Sequence, residues 1–514
     1  MKKYGLFFIS QLLFNFILTA QDCLPSGIVL DSQEDVDSFY LLFPGCRTIN
    51  GPLTIEGDGI TNVEALSILT GVQGALSIQN TEHLSSLHGL HNLTSLGGSI
   101  NIQENQSLTD LSAFSNIDTI NGDLRIRSNQ QLRELIGFES VLKIKDSLQI
   151  SNNQQLSSLN FLQLKSGVAY LSIFLNPRLK HLYGFEGITQ QIGIIKIFLN
   201  DSLLDYHGFD NLAILRSELY LNDNPMALDF SGFEKLREVG GLILDKIPCR
   251  DLSGFSALQI VQGNVEIALN ENMESLHGAP LLQKVDGILT IYKLNRLNDL
   301  DGLNQLQEIK DLRIERNDSI FSLQGLNGLK KLSYKIQIKD NPLLQDLSAL
   351  LGASGLLSEI IISRNENLSS LNGLDNLCIS PIEGVTIEDN PNLSVCNNEC
   401  LCAHILQGGL STINGNSPGC NTNNEIIASC LVKSDDPEST STIQVFPNPT
   451  FQYLEIKGLT KPSFHYSMLD VFGKVLKREQ TDQPLLDIGS LPAGLYILLI
   501  DESNNISSHR IVKF

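Results

Sequence analysis

Between Gly51 and Leu393 the apolar residues return with a period of about 24. Residues 74–97 (GALSIQNTEHLSSLHGLHNLTSLG), 98–121 (GSINIQENQSLTDLSAFSNIDTIN) and 122–145 (GDLRIRSNQQLRELIGFESVLKIK) are three successive copies of the unit. Each opens on a small or turn residue and then sets two aliphatic side chains two residues apart, as in Leu76/Ile78, Ile100/Ile102 and Leu124/Ile126. Fifteen such pairs align, from Leu53/Ile55 to Val385/Ile387. A spacing of two puts both side chains on one face of an extended chain, so each unit predicts one short strand.

Downstream in each unit the apolar residues fall three apart, as at Leu84, Leu87, Leu90 and Leu93. A continuous helix is a poor reading of that stretch. It is rich in Ser and Asn, and Gly stands just before an apolar position at Gly89, Gly137, Gly184, Gly302 and Gly373. Bends and short extended pieces are expected instead. No single unit can bury its own apolar edge, so the units must stack into a solenoid with one quasi-linear core. Three residues after the second strand position Asn recurs, at Asn105, Asn129, Asn153, Asn176, Asn200, Asn224, Asn270, Asn317, Asn341, Asn365 and Asn390. A carboxamide both donates and accepts, so stacked Asn side chains can satisfy the backbone groups of a sharp corner.

The flanks differ from this array. At the start, Lys2 and Lys3 precede an apolar stretch from Leu6 to Leu18, and Thr19-Ala20 offers a cut ahead of Gln21, which reads as a cleavable signal peptide. No later run is apolar enough to span a bilayer, so the exported chain is expected to lack a transmembrane segment. The 514 residues carry a net charge of −21, which disfavours nucleic acid as a partner and suits an extracellular setting. Export makes disulfides the default reading of the nine cysteines. Six of them lie between 378 and 430 and suggest a stapled cap rather than a zinc site, since His404 is nearly the only imidazole there. The disulfide candidates are Cys23, Cys46, Cys396, Cys402, Cys420 and Cys430. The odd count leaves one thiol over, for which Cys249 is the candidate because it lies alone among core positions. The fates of Cys378 and Cys400 and the connectivity stay open. Neither a metal nor a cofactor is expected.

The repeat, closed by Cys396-Asn-Asn-Glu-Cys400-Leu-Cys402, Pro418-Gly419-Cys420-Asn421 and Cys430, resembles the receptor L-domain family of leucine-rich solenoids. Cys400 departs from the cysteine pattern expected there. After the polar stretch KSDDPESTST, the chain from Ile443 turns to short alternating strands that suggest a small β-sandwich. Phe446-Pro447-Asn448-Pro449-Thr450, Asp470-Val471-Phe472-Gly473-Lys474-Val475, Leu491-Pro492-Ala493-Gly494-Leu495-Tyr496 and the terminal Arg510-Ile511-Val512-Lys513-Phe514 make this tail similar to the type A C-terminal sorting domain of type IX secretion. The resemblance implies a Bacteroidetes cell, export by the type IX machinery through residues 443–514, and release or attachment at the surface. The expected organisation is therefore a signal peptide over 1–20 and an N-terminal cap over 21–50. A mainly β leucine-rich solenoid of about fifteen turns follows over 51–393, with a cysteine-rich cap over 394–430, a linker over 431–442 and the sorting domain over 443–514.

Chemistry has to be sought on the outward side chains of the strands, which stack about 4.8 Å apart. Acid/base catalysis or calcium would need clustered carboxylates. Instead Glu56, Asp245, Glu266, Glu315 and Glu388 stand singly, with Asp245 and Glu266 the nearest approach to a pair. His83, His88 and His91 share one turn and read as solvated bends. The less ordinary feature is Phe174 and Phe198 in one outward column on consecutive turns, with Lys196 and Tyr220 beside them and Arg125 and Arg127 two turns earlier. Exposed aromatic side chains on a strand face suit a binding surface; a covering loop near 160–170 would instead bury them. The expectation is a secreted, non-catalytic recognition or adhesion protein for a glycan or protein ligand. A polysaccharide-active enzyme and a purely architectural surface protein are the alternatives.

Overall fold

A computed structural model describes residues 21–159, 163–191, 193–431, 443–459, 461, 463–470, 474–501 and 506–513. The proposed signal peptide and nearly all of the proposed linker lie outside them. The chain divides into two compact units, residues 1–187 and 188–514. Both are built from the predicted turn.

In the first unit the strands Leu53–Glu56, Leu76–Gln79, Ile100–Gln103, Leu124–Arg127, Ser147–Ser151 and Tyr170–Phe174 stack in parallel. Their registers match the aligned pairs: Leu53 faces Leu76, Leu76 faces Ile100, and so on to Leu148 and Leu171. The inward aliphatics are fully buried, and short strands such as Gly71–Val72 and Ser95–Leu96 form a second stack behind them. Single 3₁₀ turns such as His88–Leu90 and Ser112–Phe114 close the third side, where bends were expected. One further rung comes from the N-terminal cap: Ile28–Leu30 pairs with Leu53–Ile55. There the helix Gln33–Leu42, capped by Ser32, buries Val36 and Phe39, and Cys23 is bonded to Cys46.

In the second unit the corresponding strands run from Ile194–Phe198 to Leu377–Glu388. Several are eight or nine residues long, as Lys284–Tyr292 and Glu308–Glu315 are, because the two stacks join through an irregular step in register. A last rung, Leu410–Asn414, comes from the cysteine-rich cap. Helices Glu399–Leu406 and Asn423–Leu431 complete that cap, held by Cys378–Cys400, Cys396–Cys420 and Cys402–Cys430. All six cysteine candidates are therefore paired. Cys378 and Cys400, left open by the sequence, bond to each other because the strand Leu377–Glu388 lies against the cap helix. Cys249 is free and buried, and burial pushes its thiol up.

Two features fix the corner after each strand. The Asn column is completely buried, and its side chains form a hydrogen-bonded ladder. Asn105, Asn129 and Asn153 each donate through Nδ2 to the strand carbonyl of the preceding turn, at Ile78, Ile102 and Ile126. The Oδ1 of Asn129 and that of Asn153 each accept the backbone N–H of the Asn one turn earlier. Just before each Asn, residues of differing type adopt left-handed φ of +48 to +58°, as Glu104, Ser128, Leu175, Arg316 and Arg364 do. The ladder is interrupted at Ile247 and Leu294, whose N–H groups are nonetheless accepted by Asn270 and Asn317. The second unit's ladder ends on Asn416, in the cap, which accepts from Asn390.

Acidic side chains close the opposite corner. Asp229, Asp251 and Asp346 accept the N–H two residues on, and Glu139, Glu186, Asp210 and Glu234 accept that of the glycine two residues back. Part of the −21 charge is thus corner chemistry repeated turn by turn.

Residues 443–513 form the expected small β domain. A three-stranded antiparallel sheet (Gln444–Phe446, Tyr453–Lys457, Leu485–Asp487) shares a core with a four-stranded one (Phe464–Asp470, Val475–Thr481, Gly494–Asp501, Ile506–Lys513). Leu454, Ile456, Phe464, Met468, Leu498 and Ile500 fill that core.

Candidate functional site

The outward positions of the strands are where side chains with no core duty are displayed, and the structure sorts the candidates there. In the first unit Arg125 and Arg127 lie on the strand Leu124–Arg127 and are occupied locally. Arg125 is 2.7 Å from Asp123 and donates to Asn101 Oδ1, and Arg127 lies 3.7 Å from Glu104. Phe174 is half-buried at the end of its strand. The small outward residues Ser151 and Ser172 are shut off from solvent. Asn160, Phe161 and Leu162, part of the loop considered as a cover, lie outside the described residues.

In the second unit Lys196, Phe198 and Tyr220 come together. Register pairs Lys196 with Tyr220 and Phe198 with Asn222. The Phe198 and Tyr220 rings meet edge to face at 6.0 Å, and Lys196 Nζ sits 5.1 Å from the centre of the Tyr220 ring. All three are half-buried. Lys196 is also 3.9 Å from Glu218, which occupies an outward position one step before the columns read from the sequence. That third column was missed because only the residues around the two inward aliphatics were followed. Alternation carried two residues further back would have found it.

Beside the rings lies a group of carboxylates. Asp245 Oδ2 accepts from Asn222 Nδ2 at 2.5 Å. Burial holds its carboxyl above the usual carboxylate range. The Glu266 carboxyl is also raised, by partial desolvation first and then by the charges of Asp245 and Glu218, and is opposed by Arg313, although the residue itself is exposed. The Tyr220 hydroxyl is likewise raised, by burial first and then by Asp245, Glu218 and Glu266. The pair that looked incidental in sequence is thus part of a group of carboxylates, only partly offset by Lys196, Lys246 and Arg313, next to an aromatic pair. An acid that binds its proton more tightly when folded loses stability on deprotonation, so the penalty is absent well below the ordinary carboxylate range and grows as pH rises through the folded-state value. Glu266→Gln removes that penalty. Its melting temperature relative to the parent is expected to be more favourable at pH 7 than at pH 4, as scanning calorimetry at the two values will read. An equal difference at both would show that Glu266 titrates normally.

His88 and His91 stack at 4.6 Å in a 3₁₀ turn, and no group of three or more His, Cys, Asp or Glu suited to a metal ion occurs among the described residues. No helix among them is long and apolar enough to cross a membrane.

Comparison with known proteins bears on two segments. Residues 45–133 match the family described as Receptor L domain, and residues 444–513 match the Secretion system C-terminal sorting domain. No curated protein matches the chain. Both matches agree with the resemblances read from the sequence. The sorting domain directs the chain to type IX export and hence to the cell surface or the extracellular space, and the L domain marks it as a surface protein.

Proposed function

We propose that this exported protein is a non-catalytic recognition or adhesion protein that binds a glycan or protein ligand on the outward face of its parallel strands. The observation that carries this reading is the meeting of Phe198, Tyr220 and Lys196 on the outward face of adjacent strands. Aromatic rings are flat apolar surfaces suited to a sugar ring or an apolar side chain, and the neighbouring Asn222, Asp245 and Glu266 supply hydrogen-bonding groups around them. Phe174 is the corresponding candidate in the first unit, and Arg125 and Arg127, already held by carboxylates, are the weakest members of the set.

The test is a glycan and host-protein array probed with the chain from Gln21 onward, beside Phe198→Ala/Tyr220→Ala and, separately, Phe174→Ala. Loss of both rings is expected to weaken the strongest hit by about tenfold or more, the loss typical of central aromatic anchors. A hit indifferent to all three substitutions would move binding off this face. Absence of any hit, with normal surface abundance, would assign a purely architectural role.

One observation favours a second reading. Asp245 and Glu266, both held above the usual carboxylate range, are the groups a polysaccharide-cleaving enzyme would use as acid and base. Release of reducing ends from mixed polysaccharides, abolished by Asp245→Asn or Glu266→Gln, would establish it in place of simple binding.

A further inference from the structure

We propose that the outer face of the three-stranded sheet in the sorting domain is the surface that docks on the type IX export machinery. The proposal rests on the sorting-domain match and is independent of the ligand reading above. In this sheet Leu454, Ile456 and Leu486 point inward and are buried. By alternation Phe446, Tyr453, Glu455, Lys457 and Leu485 point outward. An outer sheet face in water is normally polar. Here Tyr453 is 45% exposed and Leu485 54%, and Phe451, in the loop feeding the strand, is 75% exposed.

The registers gather these residues. Phe446 and Leu485 flank Glu455 on either side, and Tyr453 lies diagonal to Leu485, within side-chain reach. Lys457 lies over the Phe446 ring at 4.3 Å. Lys457 lies 3.7 Å from Glu455, which leaves the three ionised residues of the face, Glu455, Lys457 and Asp487, a net charge of only −1, so its attraction to a partner is mainly apolar. Both edge strands are only three residues long, which blunts strand addition as a means of recognition and leaves the face itself. The domain's core is complete without these side chains. A domain whose role is to be engaged by the export apparatus has in that apparatus the occupant such a face requires: an apolar groove on one of its components.

Tyr453→Ser/Leu485→Ser in the full chain, expressed in its own cells, is the test. Surface and released protein are expected to fall about tenfold or more while tail-bearing chain accumulates in the periplasm. Val475→Ser/Leu476→Ser, exposed on the other sheet, should be exported at the parental level. If limited proteolysis shows that the double variant's tail has unfolded, Phe451→Ser decides, and its normal export would overturn the proposal. Normal export of a folded Tyr453→Ser/Leu485→Ser, or equal losses from both pairs, would overturn it as well, including the case in which the variant instead loses self-association.

Discussion

Asn341→Ala is expected to lower the stability of its part of the solenoid by about 4 kcal/mol, close to the limit for a single substitution. Asn341 is wholly buried. Its Nδ2 donates to the carbonyls of Ile314 and Lys339 and to Asn365 Oδ1, and its Oδ1 accepts from the N–H and Nδ2 of Asn317. Alanine leaves the Asn317 N–H and the Ile314 carbonyl without a partner where water cannot reach. Each such group costs roughly 1–3 kcal/mol, and the small void adds to that. Turns of a solenoid touch only their neighbours, so the damage stays local and a single melting curve will understate it. Amide hydrogen exchange is the suitable measurement, with protection expected to collapse across residues 312–365 and to persist in the cysteine-rich cap. Asn392→Ala is the control: Asn392 is exposed and makes one side-chain bond, to Glu366. If the two substitutions have the same effect, the ladder is not what holds the corner.

Gly325→Ala should cost a comparable amount for a different reason. Gly325 has φ +106°, and a Cβ there would stand 1.8 Å from the Leu300 carbonyl oxygen. Leu300 cannot retreat easily, because its own N–H is bonded to Gln324 in the next turn. Backbone strain and a backbone clash therefore add, for an expected loss of about 3–5 kcal/mol. The same approach recurs at Gly302, Gly278 and Gly254, so the close spacing of turns on this side is set by the missing side chain. Gly59→Ala, where a Cβ would meet nothing within 4 Å, should leave stability within about 0.5 kcal/mol of the parent. Urea unfolding of the two variants side by side separates a general glycine effect from a packing one.

Much of this architecture was legible before any coordinates. The aliphatic pairs gave the strand register because a period of two admits only one inward face, and the Asn column gave a corner because few side chains can both donate and accept along a stack. The left-handed residue beside it was not legible. Glu104, Ser128, Leu175, Arg316 and Arg364 share a backbone conformation and nothing else, so the position leaves no compositional mark. The Cys378–Cys400 bond was hidden for a related reason: its partners are joined by a cap helix folding back on a strand, which spacing does not encode.

The candidate site was legible only in part. Phe198, Lys196 and Tyr220 were placed together from column arithmetic, and they do meet. Glu218 was missed, and with it one of the charges that raise Glu266; Asp245 is raised by desolvation, which column arithmetic does not show. The same arithmetic could not show that Arg125 and Arg127 have carboxylates of their own within reach.

The Asn ladder also has a direction. Each rung lends its oxygen to the turn before it and borrows one from the turn after, so the array can begin on almost any small polar residue, as Thr81 does by donating its hydroxyl to Asn105. It cannot simply stop. The last borrower, Asn390, is served by Asn416, which is itself pinned by Asn421 and by the carbonyl of Cys420. The cysteine-rich cap is therefore a terminator as well as a lid. A shortened or transplanted array would tolerate a new beginning, but would need this ending, or another carboxamide held in its place.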